Sequence, residues 1–304
     1  MILVTGATGY IGNRLVKKLV KEGYAVRAMV INHDPLLACL DGINCEIVEG
    51  DITKIETLKP CLNGVKTVFH LAAVLVSHDP QLFHKINYEG TRNIVDAAVE
   101  AGVKHFIYIS AAAATYKIRT AYGESKIKSE ELMKQRGNTK FTIIRPTILY
   151  GYGGSQELKI YVESLRKFPI IVPVLGMGKA MKRPVCLEDI VNGLLLLINK
   201  PVSYGKIYYL SGGTEVSMWK FTKIICKTFR INKPLVPVPT WICYSASALL
   251  SVFMKRSVLR KDTILGVTMD ANFSFEQASA EIGYSPVSLE DGFGKSFINS
   301  EDQL

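Results

Sequence analysis

The run ILVTGATGYIG at residues 2–12 limits this chain more than any other stretch. Apolar residues of strand type lead into three glycines, Gly6, Gly9 and Gly12, and a helical apolar pattern follows from Ile11. Glycine is needed where a turn is tight and where backbone must approach a pyrophosphate; a helix N-terminus adds amide donors and a positive dipole end. Strand, glycine turn and helix in that order predict a dinucleotide-binding seat formed by Gly6, Thr8, Gly9, Tyr10, Ile11 and Gly12. Because the chain goes straight into this run, we expect no signal peptide before the fold, and a cytoplasmic protein.

The same alternation then repeats. Short apolar segments at 2–5, 25–30, 45–49, 67–71, 105–110 and 141–145 read as strands, with amphipathic helices over 11–22, 87–101 and 122–136 between them. Regular strand–helix alternation means right-handed crossovers and a parallel sheet covered on both faces, an α/β doubly wound (Rossmann) fold. Ligands in such folds collect at the carboxyl ends of the strands. The pattern loosens after about residue 150, so we expect a dinucleotide-binding domain over 1–150. A helix and a strand from about 185–210 extend it, and a smaller substrate-binding lobe takes most of 151–304. The six cysteines form no Cys-x-x-Cys pair and have no histidine at ligand spacing, which predicts free thiols and no metal site. The net charge of +10 is scattered over helix faces; it fits solvated surface or an anionic substrate, and no nucleic-acid motif accompanies it.

The stretch YISAAAATYKIRTAYGESK at 108–126 carries the candidate chemistry. Tyr122 and Lys126 stand one helical turn apart and share a face. A phenol ordinarily titrates near 10, and an adjacent ammonium together with an oxidised nicotinamide favours the phenolate, which makes Tyr122 a candidate acid–base group.

These motifs together resemble the short-chain dehydrogenase/reductase superfamily, in particular its extended, epimerase/dehydratase-like branch. The Gly-x-x-Gly-x-x-Gly spacing, GDIT (50–53), HLAA (70–73), INYEGTRNIVDAA (86–98), the Tyr-x-x-x-Lys pair, RPTILYG (145–151), KRPVCLEDI (182–190) and AEIGYSP (280–286) occur in the order that branch has them. The resemblance implies NAD or NADP as cofactor, with Asp51 and Ile52 on its adenine side. It places Leu71, Ala72 and Ala73 along the dinucleotide, Asn87 near the inner ribose, Lys126 on the ribose and Pro146 at the nicotinamide. It also implies a serine or threonine that bonds the substrate oxygen. Counted on the branch's pattern, that position falls on Ala112 or Ala111, neither of which has a hydroxyl. Ser110, twelve residues before Tyr122, is the expected substitute, with Thr115 a weaker one.

The substrate side is less constrained. The resemblance sets Arg183 toward the diphosphate of a nucleotide sugar, while an ion pair with Glu188 or Asp189 is its alternative. Val30, Ile31 and Asn32 supply neither the acid that reads an adenosine ribose nor the arginine that reads its 2′-phosphate, and Asp34 lies slightly late, so NAD and NADP both stay open. Residues 240–254 are uncharged for fifteen positions and are followed by KRSVLRK. This stretch is read as a helix over the substrate cleft, with peripheral membrane contact through 240–261 and a pocket for a lipophilic alcohol as alternatives. The expectation is a small-molecule oxidoreductase or epimerase acting on a secondary alcohol or ketone, first of a nucleotide sugar and otherwise of a sterol-like compound. A non-catalytic dinucleotide-binding subunit or redox sensor is the third reading. The resemblance further implies a homodimer packed through the helices over 87–101 and 122–136.

Overall fold

The computed structural model describes residues 1–136, 140–153, 155–253 and 261–297. Seven strands, β1 (Ile2–Thr5), β2 (Val26–Val30), β3 (Glu46–Glu49), β4 (Thr67–His70), β5 (His105–Ile109), β6 (Lys140–Pro146) and β7 (Ile207–Leu210), form one sheet in the order β7-β6-β5-β4-β1-β2-β3. Every pairing in it is parallel. The central strands β1, β4 and β5 are buried along their whole length, as a sheet covered on both faces requires.

On one face, Leu15, Val16 and Leu19 of α1 (Tyr10–Lys21) pack with Ile190, Val191 and Leu194 of α5 (Leu187–Leu195). On the other, Ile94, Val95 and Ala98 of α2 (Thr91–Glu100) join Met133 of α3 (Ala121–Lys134) over Leu3, Val68 and Phe106. The helix expected over 87–101 has two parts: Phe83–Gly90 is wound more widely and runs into α2.

Strand order reverses between β1 and β4, and folds of this kind seat their ligand in the crevice at the carboxyl ends of such strands. A buried histidine closes that seam. His70, at the end of β4, lies opposite Thr5; its Nδ1 is 2.7 Å from Thr5 Oγ1, and its Nε2 is 2.9 Å from Thr91 Oγ1. Burial, with the nearby Lys126 charge, pulls its pKa down to about 3 and keeps the imidazole neutral.

A third apolar cluster builds the C-terminal lobe, joining α4 (Gln156–Lys167), the helix Met218–Thr228 and the helix Leu289–Phe297. The helix Thr240–Phe253 forms where the uncharged stretch predicts one, yet it is not fully covered: Trp241 is 70% exposed, whereas Cys243 and Ser247 face inward. No helix among the described residues is long and apolar enough to cross a membrane. The basic Lys255, Arg256 and Arg260 that follow lie outside the described residues.

Candidate active site

The glycine turn is built as its spacing requires. Gly6 sits at φ +66°, where a Cβ would press on the Ala72 backbone, and a Cβ on Gly12 would enter the space of the Gly6 carbonyl oxygen. The loop thus packs tightly on the start of α1, and Gly9 caps that helix with no side-chain bond. The first-turn amides are left for an anion, with no acidic residue in the turn to compete. A cleft of about 830 Å³ opens there. It is lined by Gly6, Thr8, Gly9, Tyr10, Ile11, Gly12, Leu71 and Ala73, and farther along by Ser110, Tyr122, Lys126 and Pro146. Its size, its glycine floor and its free helix terminus fit a dinucleotide.

Four residues expected on the cofactor do not line this cleft. Ala72 donates its amide to Thr5 Oγ1 inside the seam. Asp51 accepts from the amide and hydroxyl of Thr53, and Ile52 is buried under Gly90. Asn87 is fully buried; it accepts from the Val74 amide at 2.8 Å and donates to the Val74 carbonyl at 2.9 Å, so it braces the cleft wall. Asp34, by contrast, comes closer than its sequence position suggests: Thr8 donates to its Oδ2 at 2.7 Å.

Tyr122 and Lys126 emerge from the first turns of α3, which Thr120 caps by accepting from the Gly123 amide. Lys126 is almost fully buried, donates to the Ile109 carbonyl at 2.8 Å, and lies 5.8 Å from the Tyr122 ring centre and 4.8 Å from that of Tyr108. Burial pulls the Lys126 ammonium down to about 7, with the Glu130 carboxylate opposing. Burial, helped by Glu157 and Tyr108, holds the Tyr122 phenol well above its usual value. The expectation paired the Lys126 ammonium with an oxidised nicotinamide; in the chain alone, desolvation is the larger influence and favours the neutral phenol.

The Ser110 hydroxyl is not free. It donates to Glu130 Oε1 at 2.5 Å, and the same carboxylate takes Arg145 Nε at 3.0 Å and Nη2 at 2.5 Å. Arg145 in turn donates to the Tyr209 hydroxyl at 2.9 Å, Tyr209 to Thr115 at 3.2 Å, and Thr115 to the Ala112 carbonyl at 2.8 Å. This chain, part-buried along most of its length, runs to the alanine turn Ala112–Thr115 and engages both hydroxyls expected to serve the substrate.

A second cavity of about 380 Å³ meets the cleft at Tyr122. Leu75, Val76, Phe83, Ile148, Leu158, Ile160, Met218 and Phe221 line it, closed by Leu265 and Val267 of α6 (Lys261–Thr268). Glu157 is its one charged lining residue among the described residues, set in the first turn of α4. Arg183 lines neither cavity. Its Nε donates to Asn272 at 2.6 Å, its Nη2 is 4.0 Å from Glu215, and its guanidinium lies 5.7 Å from the Phe275 ring centre. The expected alternatives, Glu188 and Asp189, are not its partners. Of the helix Thr240–Phe253, residues 240–248 do not line the second cavity, whereas residues of α6 do. Among the described residues no group of three or more His, Cys, Asp or Glu could hold a metal.

Sequence reading missed Glu130, Arg145, Tyr116 and Glu157. The position of Glu130 one turn beyond Lys126 was the available signal for the first two. Tyr116 and Glu157 line both cavities and carried no signal beyond closeness to known motifs.

Comparison with known proteins fits this geometry. The chain is 25% identical to the mouse sterol-4-alpha-carboxylate 3-dehydrogenase, decarboxylating, over 95% of its own length and 87% of the relative's. It is 27% identical to UDP-glucose 4-epimerase of Vibrio cholerae, over 96% and 93%. The fold matches the crystal structure of UDP-glucuronic acid 4-epimerase from Bacillus cereus in complex with UDP-glucuronic acid and NAD, with a TM-score of 0.77, 19% identity and 98% of each chain covered. Residues 2–210 match the model of the NAD dependent epimerase/dehydratase family. With that match spanning the whole parallel sheet, the chain belongs to this family of NAD(P)-using enzymes, of the extended short-chain dehydrogenase/reductase type.

Proposed function

We propose that this protein interconverts a secondary alcohol and a ketone on a lipophilic small molecule, using NAD(P) and Tyr122. The observation that carries the reading is the cavity beside Tyr122, whose lining is mostly aliphatic and aromatic and, among the described residues, includes no Arg or Lys. A nucleotide diphosphate needs cationic or multiple amide partners. A hydrocarbon skeleton needs only the apolar wall, at roughly 25 cal/mol per Å² removed from water.

The nicotinamide, when bound, exchanges hydride with the substrate carbon. Tyr122 holds the proton that the substrate oxygen gains on reduction or gives up on oxidation. Its raised pKa suits the donating role, because a neutral phenol is the form that reduction of a ketone uses. Lys126, anchored on the Ile109 carbonyl, keeps a donor and a partial positive charge at the floor of the cleft. Asp34 supports NAD over NADP: its carboxylate beside Thr8 would repel a 2′-phosphate. Two arginines nearby in sequence are engaged elsewhere: Arg27 with Glu46 and the carbonyls of Cys61 and Asn63, and Arg14 over the Tyr152 ring.

The nucleotide-sugar reading keeps one specific support, the nearly full-length similarity to the Vibrio cholerae epimerase. A panel of sterol-like and long-chain alcohols against UDP-sugars, with NAD and NADP, separates the two. Tyr122→Phe should lower kcat by about 10³-fold while cofactor affinity persists. Turnover confined to UDP-sugars, or an unimpaired Tyr122→Phe enzyme, would sink the proposal.

A further inference from the structure

Reduction of a carbonyl builds charge on its oxygen, and losing one hydrogen-bond donor aimed at such an oxygen costs about 10²–10³ in rate. The family's pattern puts a hydroxyl for this purpose in the turn after β5, where this chain has Ala111, Ala112, Ala113 and Ala114. The two nearest hydroxyls are already spent. Ser110 gives its proton to Glu130, and Thr115 gives its proton to the Ala112 carbonyl.

What stands at the junction instead is Tyr116, which follows the alanine turn and, like Ala113, Tyr122 and the carboxyl-bearing Glu157, lines both the cofactor cleft and the substrate cavity. Ser77 and Thr120 line the substrate cavity but not the cleft. The Tyr116 ring is held in place. It stacks on Phe273 with centres 6.3 Å apart, and Phe273 stacks on Tyr209 at 4.5 Å, the residue that Arg145 anchors.

We infer that Tyr116 is a second catalytic tyrosine, whose phenol donates to the substrate oxygen in place of the missing serine while Tyr122 exchanges the proton. This rests on the alcohol–ketone reading above. Tyr116 neither gains nor loses a proton: ketone, hydride and the Tyr122 proton combine to the alcohol, and Tyr116 only shares its hydrogen with the oxygen. Burial supports the role by pushing its pKa up to about 12, which keeps the phenol a donor throughout the neutral range.

The test uses the full chain with NADH or NADPH and two rigid ketones, trans-2-decalone and 5α-androstan-3-one. Tyr116→Phe should lower kcat by about 10²-fold, with KM and cofactor Kd changed by less than about threefold. Adding Ala113→Ser to that variant, which returns a hydroxyl to the turn, should recover about tenfold of the loss, something a merely structural tyrosine would not allow. An unimpaired Tyr116→Phe enzyme overturns the inference. So does a loss that tracks cofactor binding, or one that Ala113→Ser fails to relieve. Tyr122→Phe is run in parallel. If it is inactive while Tyr116→Phe is normal, only the inference falls; if both are normal, or neither ketone is reduced by the unmodified chain, the functional reading falls with it.

Discussion

The two cavities that meet at Tyr122 are made of different material. The cofactor cleft is largely backbone: three glycines, the open amides of α1 and the turn after β4. The substrate cavity is side chain, drawn from separate stretches around residues 75–83, 113–122, 148–164, 218–221 and 263–267. A backbone site depends on conformations that only certain residues permit, whereas a side-chain site can be lined with many combinations of similar volume. The first kind is held to one ligand. The second is free to change its ligand.

This contrast can be broken at either side. The largest effect is expected from Gly12→Val, because even a Cβ there collides with the Gly6 carbonyl. Dinucleotide affinity should fall by about 10²-fold or more and the melting temperature should drop, as overpacking of a closed site predicts; calorimetric titration with NAD would read it. Retained affinity would mean the turn has slack that its geometry denies. A smaller and opposite signature is expected from Ile160→Lys, which puts a charge into the apolar wall. KM for lipophilic ketones should rise about tenfold with cofactor Kd unchanged. Coupled loss of both would show that the cavities are not separable. The smallest effect belongs to Arg183→Ala, whose side chain reaches Asn272 and Glu215 and not the substrate cavity. Turnover of a lipophilic ketone should change by less than about twofold, since a part-exposed ion pair of this kind is worth little. A tenfold loss would return Arg183 to the substrate and the nucleotide sugar to first place.

Legibility in the sequence followed the same divide. Gly6, Gly9 and Gly12 were readable because no other residue type meets their steric demand, and Tyr122 with Lys126 because four-residue spacing on a helix fixes a shared face. The parallel sheet was readable from uninterrupted apolar strands between amphipathic helices. Arg183 was found as part of a motif, but a motif gives position along the chain and not side-chain direction. Ser110 was found too, while its partner Glu130 lies twenty residues on, and only the packing of α3 against β5 brings them together. The apolar cavity had no signature at all, because leucine and phenylalanine scattered over two hundred residues look the same whether they fill a core or surround a void.

Tyr122, Lys126 and Glu130 occupy one line along α3, each a little over one turn, or about 6 Å, from the next. In the proposed reaction they serve in order as proton carrier, charge and brace. Because Glu130 is clamped by Arg145 on β6 and by Ser110 at the end of β5, the far end of this line is bolted to the sheet. The helix therefore works as a rigid gauge block: any sliding or rotation would displace all three groups together. On that reading the Tyr122 hydroxyl is aligned not at the mouth of the site but from two turns away, at a joint between helix and sheet.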